Sequence, residues 1–313
     1  MSLTSTTSIF FFVLLLNLTL NVFATPQQPD PPFRVVGYLP DYRIDQVNSS
    51  WMNRLTDLVY FSIQPDKSGE LDLGHFDQPS FEKLRQLTWN HKVRLSICVG
   101  GWRRSQGFST MAPDQNLRQD FIHQLKNFCL RQDLDGVDFD WEFPQNREEV
   151  IAYEKLLVET KMAFQQHRLL VTAAVGHHMR LSSPIYEAID YIHLMSYDHS
   201  VQHSTYRESL SDVAQQLEFG VPAEKLCLGI PFYGRAVENW HQATTYADLV
   251  KLFHPSAEAN MVNGIYFNGR ELVRRKVRYA LQKGLAGIMV WEIGQDTVDG
   301  TSLLKTISQT LNR

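Results

Sequence analysis

The chain has 313 residues, with 30 Lys and Arg against 34 Asp and Glu and a formal net charge of −4. Acids and bases are mixed along it, which excludes the basic field of a nucleic-acid binder and the polybasic face of a membrane-surface protein. Apolar residue types make up 43% of the sequence, enough for one large core, and α/β barrels of this length are commonly a single domain.

The N-terminus comes first. Residues 9–20 are almost wholly apolar, and Val22-Phe23-Ala24 offers small residues where a signal peptidase reads. The pattern predicts a secretory signal, residues 1–24, although no Lys or Arg precedes the apolar run. That run is short for a membrane span. The expectation is export, to a secreted or periplasmic location, with no membrane attachment after cleavage. The Pro-rich stretch 26–32 then reads as an extended arm, residues 25–33, leaving 34–313 as the folded domain. Asn48-Ser49-Ser50 is a glycosylation acceptor in a eukaryotic host.

Eight apolar runs of strand length follow: 34–38, 58–63, 93–99, 136–141, 169–175, 191–197, 226–232 and 286–293. They are continuous rather than alternating, as in strands covered on both faces. Helical periodicity lies between them, at 80–89, across Leu117, Phe121, Ile122, Leu125, Phe128 and Cys129, and at 148–166, 209–219 and 271–282. Gly220, Gly284 and Gly287 fall where helices stop or strands begin. Eight strands alternating with helices predict a (β/α)8 TIM barrel, with a doubly wound open sheet as the alternative. No coiled coil or unpartnered apolar helix is evident, so a monomer is expected.

Cys98, Cys129 and Cys227 each sit in an apolar stretch. The set is odd and sparse, without zinc spacing, so buried thiols are expected rather than a disulfide framework. His177, His178, His199 and His203 fall in predicted loops, where contact with solvent or sugar is the expected role. No metal or cofactor is expected.

Residues 135–142 read Asp-Gly-Val-Asp-Phe-Asp-Trp-Glu. On a strand, side chains alternate faces, so Asp138, Asp140 and Glu142 share one face, roughly 7 Å between neighbours, while Val137, Phe139 and Trp141 share the other. In an antiparallel sheet the acids would simply face water. In a barrel the apolar face meets the helices and the acids point inward. Three like charges there cannot all ionise cheaply, so at least one keeps a proton near neutrality. A carboxyl protonated near pH 7 is what a leaving oxygen requires, and Glu142 lies at the C-terminal strand end, where barrel active sites form. Asp135 has the wrong parity and is read as holding the turn before the strand.

This stretch resembles the DxxDxDxE signature of glycoside hydrolase family 18, the chitinases and endo-β-N-acetylglucosaminidases. Val35-Val36-Gly37-Tyr38, Met195-Ser196-Tyr197-Asp198, the segment 229–235 and the segment 287–292 resemble the family's first, sixth, seventh and eighth strands, in order. The resemblance spans about residues 34–300. It implies a retaining, substrate-assisted glycosidase acting on β-1,4-linked N-acetylglucosamine polymers such as chitin, an exception to the two-carboxylate scheme. Glu142 would protonate the glycosidic oxygen, and the substrate's 2-acetamido oxygen would be the nucleophile. Asp140 would hold the acetamido N–H and Asp138 would share its proton. Tyr197 would donate to the acetamido oxygen, Asp198 and Met195 would shape that subsite, Trp291 would form its floor and Tyr38 would back Asp138. Tyr233, Arg235 and Trp102 are further candidates for sugar contact.

Two departures stand out. The third strand ends Cys98-Val99-Gly100-Gly101, with Cys at a position that the family usually fills with Ser, a better hydrogen-bond partner for Asp138. Ser96, one strand period earlier, is expected to substitute in part. Only about 50 residues separate Arg235 from Ala286, too few for the α+β domain often inserted there, so an open groove is expected. Two alternatives share the motif: a chitinase-like carbohydrate-binding protein, and an endo-β-N-acetylglucosaminidase or peptidoglycan hydrolase.

Overall fold

The computed structural model describes residues 33–313, so the expected signal segment and nearly all of the arm lie outside the described residues. Eight parallel strands form the centre: β1 (Arg34–Pro40), β2 (Asp57–Pro65), β3 (Arg94–Gly100), β4 (Gly136–Asp140), β5 (Leu170–Gly176), β6 (Tyr191–Met195), β7 (Leu226–Pro231) and β8 (Gly287–Trp291). Each matches one of the eight apolar runs. β1 pairs with both β2 and β8, which closes the sheet into a barrel and excludes the open doubly wound alternative.

The helices that follow these strands include α1 (Gln78–His91), α2 (Gln115–Arg131), α3 (Arg147–Phe164), α4 (Ser183–Ala188), α5 (Tyr206–Glu218), α6 (Tyr246–Phe253), α7 (Arg270–Gln282) and α8 (Leu303–Thr310). No helix among the described residues is long and apolar enough to cross a membrane.

Strand parity divides the apolar side chains into two clusters. Outward-facing Val137, Phe139 and Trp141 pack with Phe121, Leu125, Tyr153 and Leu156 of α2 and α3. Inward-facing Val36, Tyr38, Val59, Cys98, Ala174, Met195, Cys227 and Met289 fill the barrel. Each fully buried large side chain of this kind contributes about 1.5–3 kcal/mol. All three cysteines are buried and free.

At the N-terminal end of the barrel, Asp57 accepts hydrogen bonds from Arg34 at 2.6 Å and Arg94 at 2.8 Å, and the Arg34 guanidinium lies 3.7 Å over the Tyr191 ring. Burial alone would raise Asp57, but the two guanidinium groups prevail and lower its carboxyl.

The segment between β7 and β8 is more than a connector. Ala243–Thr245, Tyr233–Ala236, Ile265–Tyr266 and Met261–Val262 form a small antiparallel sheet. Asn263 and Gly264 at its hairpin tip have φ of 45° and 72°, the left-handed pair of a two-residue hairpin turn. Length alone excluded a full inserted domain, and the Asn-Gly dipeptide was the unused sign of this sheet.

Candidate active site

The acid row rises from β4. Asp138 and Asp140 are buried inside the barrel, and Glu142 follows two residues beyond the strand. Opposite, β3 ends at Gly100 and Gly101, with φ of 98° and 99°. A Cβ on Gly100 would meet the Asp140 carbonyl oxygen at 2.4 Å, and one on Gly101 would meet the Phe61 ring at 2.2 Å. The missing side chains let the Gly101 amide donate to the Asp140 carbonyl at 2.6 Å. The Glu142 amide donates to Ser105 Oγ at 3.0 Å, fixing the turn that carries the carboxyl.

Asp138 sits at the bottom of the row in a full set of donors. Tyr38 Oη donates to Oδ2 at 2.6 Å, Thr172 Oγ1 to Oδ1 at 2.5 Å, and His193 Nδ1 lies 3.0 Å from Oδ1. His193 Nδ1 is also 2.8 Å from Tyr38 Oη. Cys98 lies beside Asp138 in the strand register, and burial pushes its thiol well up. Ser96 does not substitute for the missing hydroxyl. It pairs two residues earlier, beside Gly136, and the donors come instead from β1, β5 and β6. Asp135, as expected, braces the strand entry by accepting from the Leu95 amide at 2.8 Å.

Asp140 differs. Its Oδ1 is buried without a hydrogen-bond partner among the described residues. Burial, and then the proximity of Glu142 and Asp138, push its carboxyl well above the ordinary range. Burial, assisted by the Asp198 anion, lifts Glu142 to about 7. Asp198 goes the other way. Burial alone would raise it, but His203, Arg235 and Tyr233 hold it well below the usual carboxylate range. Arg235 grips both its oxygens, Nε to Oδ1 at 2.5 Å and Nη2 to Oδ2 at 2.7 Å, and Tyr233 Oη donates at 2.7 Å.

Above the row lies a cleft of about 400 Å³. Asp140, Glu142, Tyr38, Trp102, Met195, Tyr197, Asp198, Tyr233, Arg235 and Trp291 all line it, so every expected site residue except the underlying Asp138 meets there. Trp291 packs against Tyr38 at 5.7 Å and Phe61 at 4.7 Å between ring centroids. Trp102 and Trp240 stand at the rim, 63% and 47% exposed, and Trp240 carries His241 at 4.3 Å and the Arg235 guanidinium at 5.1 Å against its ring. His203 departs from expectation: it is buried, stacked on Tyr233 at 5.0 Å, because it supports Asp198 from behind. No group of three or more His, Cys, Asp or Glu among the described residues is arranged to hold a metal.

The model of glycosyl hydrolases family 18 matches residues 34–296, nearly the whole barrel. The chain belongs to glycosyl hydrolase family 18. Chitotriosidase-1 of Mus musculus is 27% identical over 336 residues, covering 83% of this chain and 72% of its own. Probable chitinase 2 of Drosophila melanogaster is 24% identical over 73% of this chain, and the alignment spans only 62% of the fly protein. The family 18 chitinase ChiB of Flavobacterium johnsoniae superposes with a TM-score of 0.80 at 29% identity, covering 89% of this chain and 94% of its own. A class V chitinase of Nicotiana tobaccum, solved with NAG4, shares the fold at a TM-score of 0.78 and 23% identity, covering 90% of this chain and 99% of its own.

Within this family 18 barrel, His177 and His178 line the cleft from a loop, as expected, while sequence reading missed Thr172, His193, Phe143, Trp240, Met289 and Gln295 as neighbours of the acids or the cleft. Inward parity on β5 and β6 was the available signal for Thr172 and His193, two and four residues before Ala174 and Tyr197. Met289 had the same signal, two residues before Trp291 on β8, whereas Phe143, Trp240 and Gln295 sit past strand ends, where period-two parity no longer applies.

Proposed function

We propose that this family 18 hydrolase cleaves β-1,4-linked N-acetylglucosamine polymers, chitin and chitooligosaccharides, with retention and through the substrate's own acetamido group. The division of labour among the three cleft carboxyls carries this reading. A two-carboxylate retaining mechanism needs one protonated acid and one free carboxylate nucleophile. Here Glu142 is held near 7, suited to donate a proton. Burial and its acidic neighbours push the Asp140 carboxyl well above the ordinary range. Asp198 is ionised but locked by Arg235 and Tyr233. No free carboxylate among these three is left to attack, so the nucleophile comes from the sugar.

In this scheme Glu142 protonates the glycosidic oxygen while the acetamido oxygen of the same sugar attacks its anomeric carbon. The leaving chain departs with the Glu142 proton, and an oxazolinium-like species remains. The unpartnered Asp140 Oδ1 accepts from the acetamido N–H, and Tyr197 donates to the acetamido oxygen. Glu142, now a base, takes a proton from water as that water opens the ring. Asp138, held by Tyr38, Thr172 and His193, braces the acid row from below. Trp291 supports the apolar face of the reacting sugar. Export through the N-terminal leader fits a polymeric extracellular substrate.

The test uses residues 25–313, wild type and Glu142→Gln, on tetramer to hexamer of N-acetylglucosamine. Wild type should release β-anomers and lose rate above about pH 7, as Glu142 gives up its proton. The variant should lose about 10³-fold in kcat while still binding. Binding without cutting by wild type would turn the reading to a lectin, and α-anomers would rule out the acetamido route.

A further inference from the structure

Resting on that reading, we infer that His177 and His178 form the contact for the leaving saccharide, and that the Asp212–His199 pair holds His177 in place. Glu142 must touch the oxygen of the bond that breaks, so the leaving sugar lies on the side of Glu142 away from Trp291 and Tyr38. The wall on that side comes from the next strand. β5 ends at Gly176, and His177 and His178 follow directly into the cleft. Phe143, the residue after Glu142, packs on His178 at 5.3 Å, so proton donor and histidine wall are continuous.

His177 is braced from behind as a recognition group would be. Its ring stacks on His199 at 4.0 Å between centroids, tilted 35°. His199 Nε2 lies 2.9 Å from Asp212 Oδ2, which also accepts from Ser196 Oγ at 2.6 Å. One helical turn on, Gln216 Nε2 donates to the carbonyls of His177 and Met179, each at 3.1 Å. Asp212 and Gln216 are both buried on the inner face of α5, and a Thr205–Glu208 capping box fixes the start of that helix. One helix thus holds both the ring and the backbone of the cleft-facing histidine.

The charges around the stack support an uncharged His177. Burial, then His199 and His178, lower it against Asp212 and Glu208. Burial and Lys276 oppose ionisation of His199, but Asp212 and Glu208 raise it overall. A neutral imidazole can both donate to and accept from sugar hydroxyls, and its face can stack on a sugar ring.

The experiment follows initial products from reducing-end-labelled N-acetylglucosamine hexamer. In His177→Ala, KM for hexamer should rise about tenfold with kcat changed much less. Cleavage should shift away from frames that place two or more sugars on the leaving side. His199→Ala should give a smaller shift of the same kind. The product ratio does not depend on how much enzyme is folded, so a folding defect cannot imitate it. His177→Asn, which lacks the aromatic face, should show the shift too. A wild-type product ratio in all three variants overturns the inference while leaving the glycosidase reading intact. A wild-type chain that leaves hexamer uncut overturns both.

Discussion

The two ends of this barrel treat buried acid in opposite ways. At the N-terminal end, Asp57 is held between Arg34 and Arg94, and its carboxyl is lowered despite burial. At the C-terminal end, Asp140 and Glu142 are raised, by burial first and then by neighbouring acids, and Asp140 Oδ1 has no partner among the described residues. The first end uses its charges to fix strands β1, β2 and β3 against one another. The second holds acids in a state that costs stability and keeps a proton available. The difference teaches where the fold is anchored and where it is strained for chemistry.

The largest test of that contrast is at the anchored end. Asp57→Ala leaves two buried or half-buried guanidinium groups without their counter-charge, and should cost about 3–5 kcal/mol of stability with kcat on chitooligosaccharide nearly unchanged. Thermal or urea unfolding reads the first and steady-state kinetics the second. A variant as stable as wild type would erase the distinction between the two ends.

A smaller effect of opposite sign belongs to the cleft. Glu142 is raised in the folded state, so folding binds a proton there and stability is lost as pH rises from the unfolded carboxyl range through about 7. Glu142→Gln should therefore match wild type near pH 4 and be more stable by about 1 kcal/mol at pH 8. Parallel unfolding curves at the two pH values give the answer, and a variant destabilised at pH 8 would mean that Glu142 is not strained.

The smallest effect sharpens the picture of Asp138. Cys98→Ser places a hydroxyl beside that carboxylate in the strand register. Tyr38 and Thr172 already donate to Asp138 with His193 beside it, so the added hydroxyl should leave the pH–rate profile within about half a pH unit of wild type. A larger shift would show that Asp138 still has room for another donor.

Much of this was legible before any fold was in hand. Eight continuous apolar runs gave the strand count, and the strict period of two along 136–142 assigned Asp138, Asp140 and Glu142 to one face and Val137, Phe139 and Trp141 to the other. Those are local properties, set by backbone pleat and by the need to cover both faces of a parallel strand. The order of motifs pointed to the family for the same reason. What escaped lay where local periodicity ends. The small sheet at 233–266 is made of strands two to four residues long, and Trp240 sits in a loop whose path no period predicts.

The partners of the acids were beyond sequence altogether. Tyr38 lies 100 residues from Asp138 and 155 from His193, yet the three meet within 3.0 Å because barrel closure brings β1, β4 and β6 to one interior. Sequence determined which acids face inward, since a side chain's face follows from its own strand. Only the tertiary structure decided which acid is saturated with donors, which is pushed up by burial and which is locked by arginine, because a carboxyl's proton affinity depends on groups brought within a few ångströms by the whole chain.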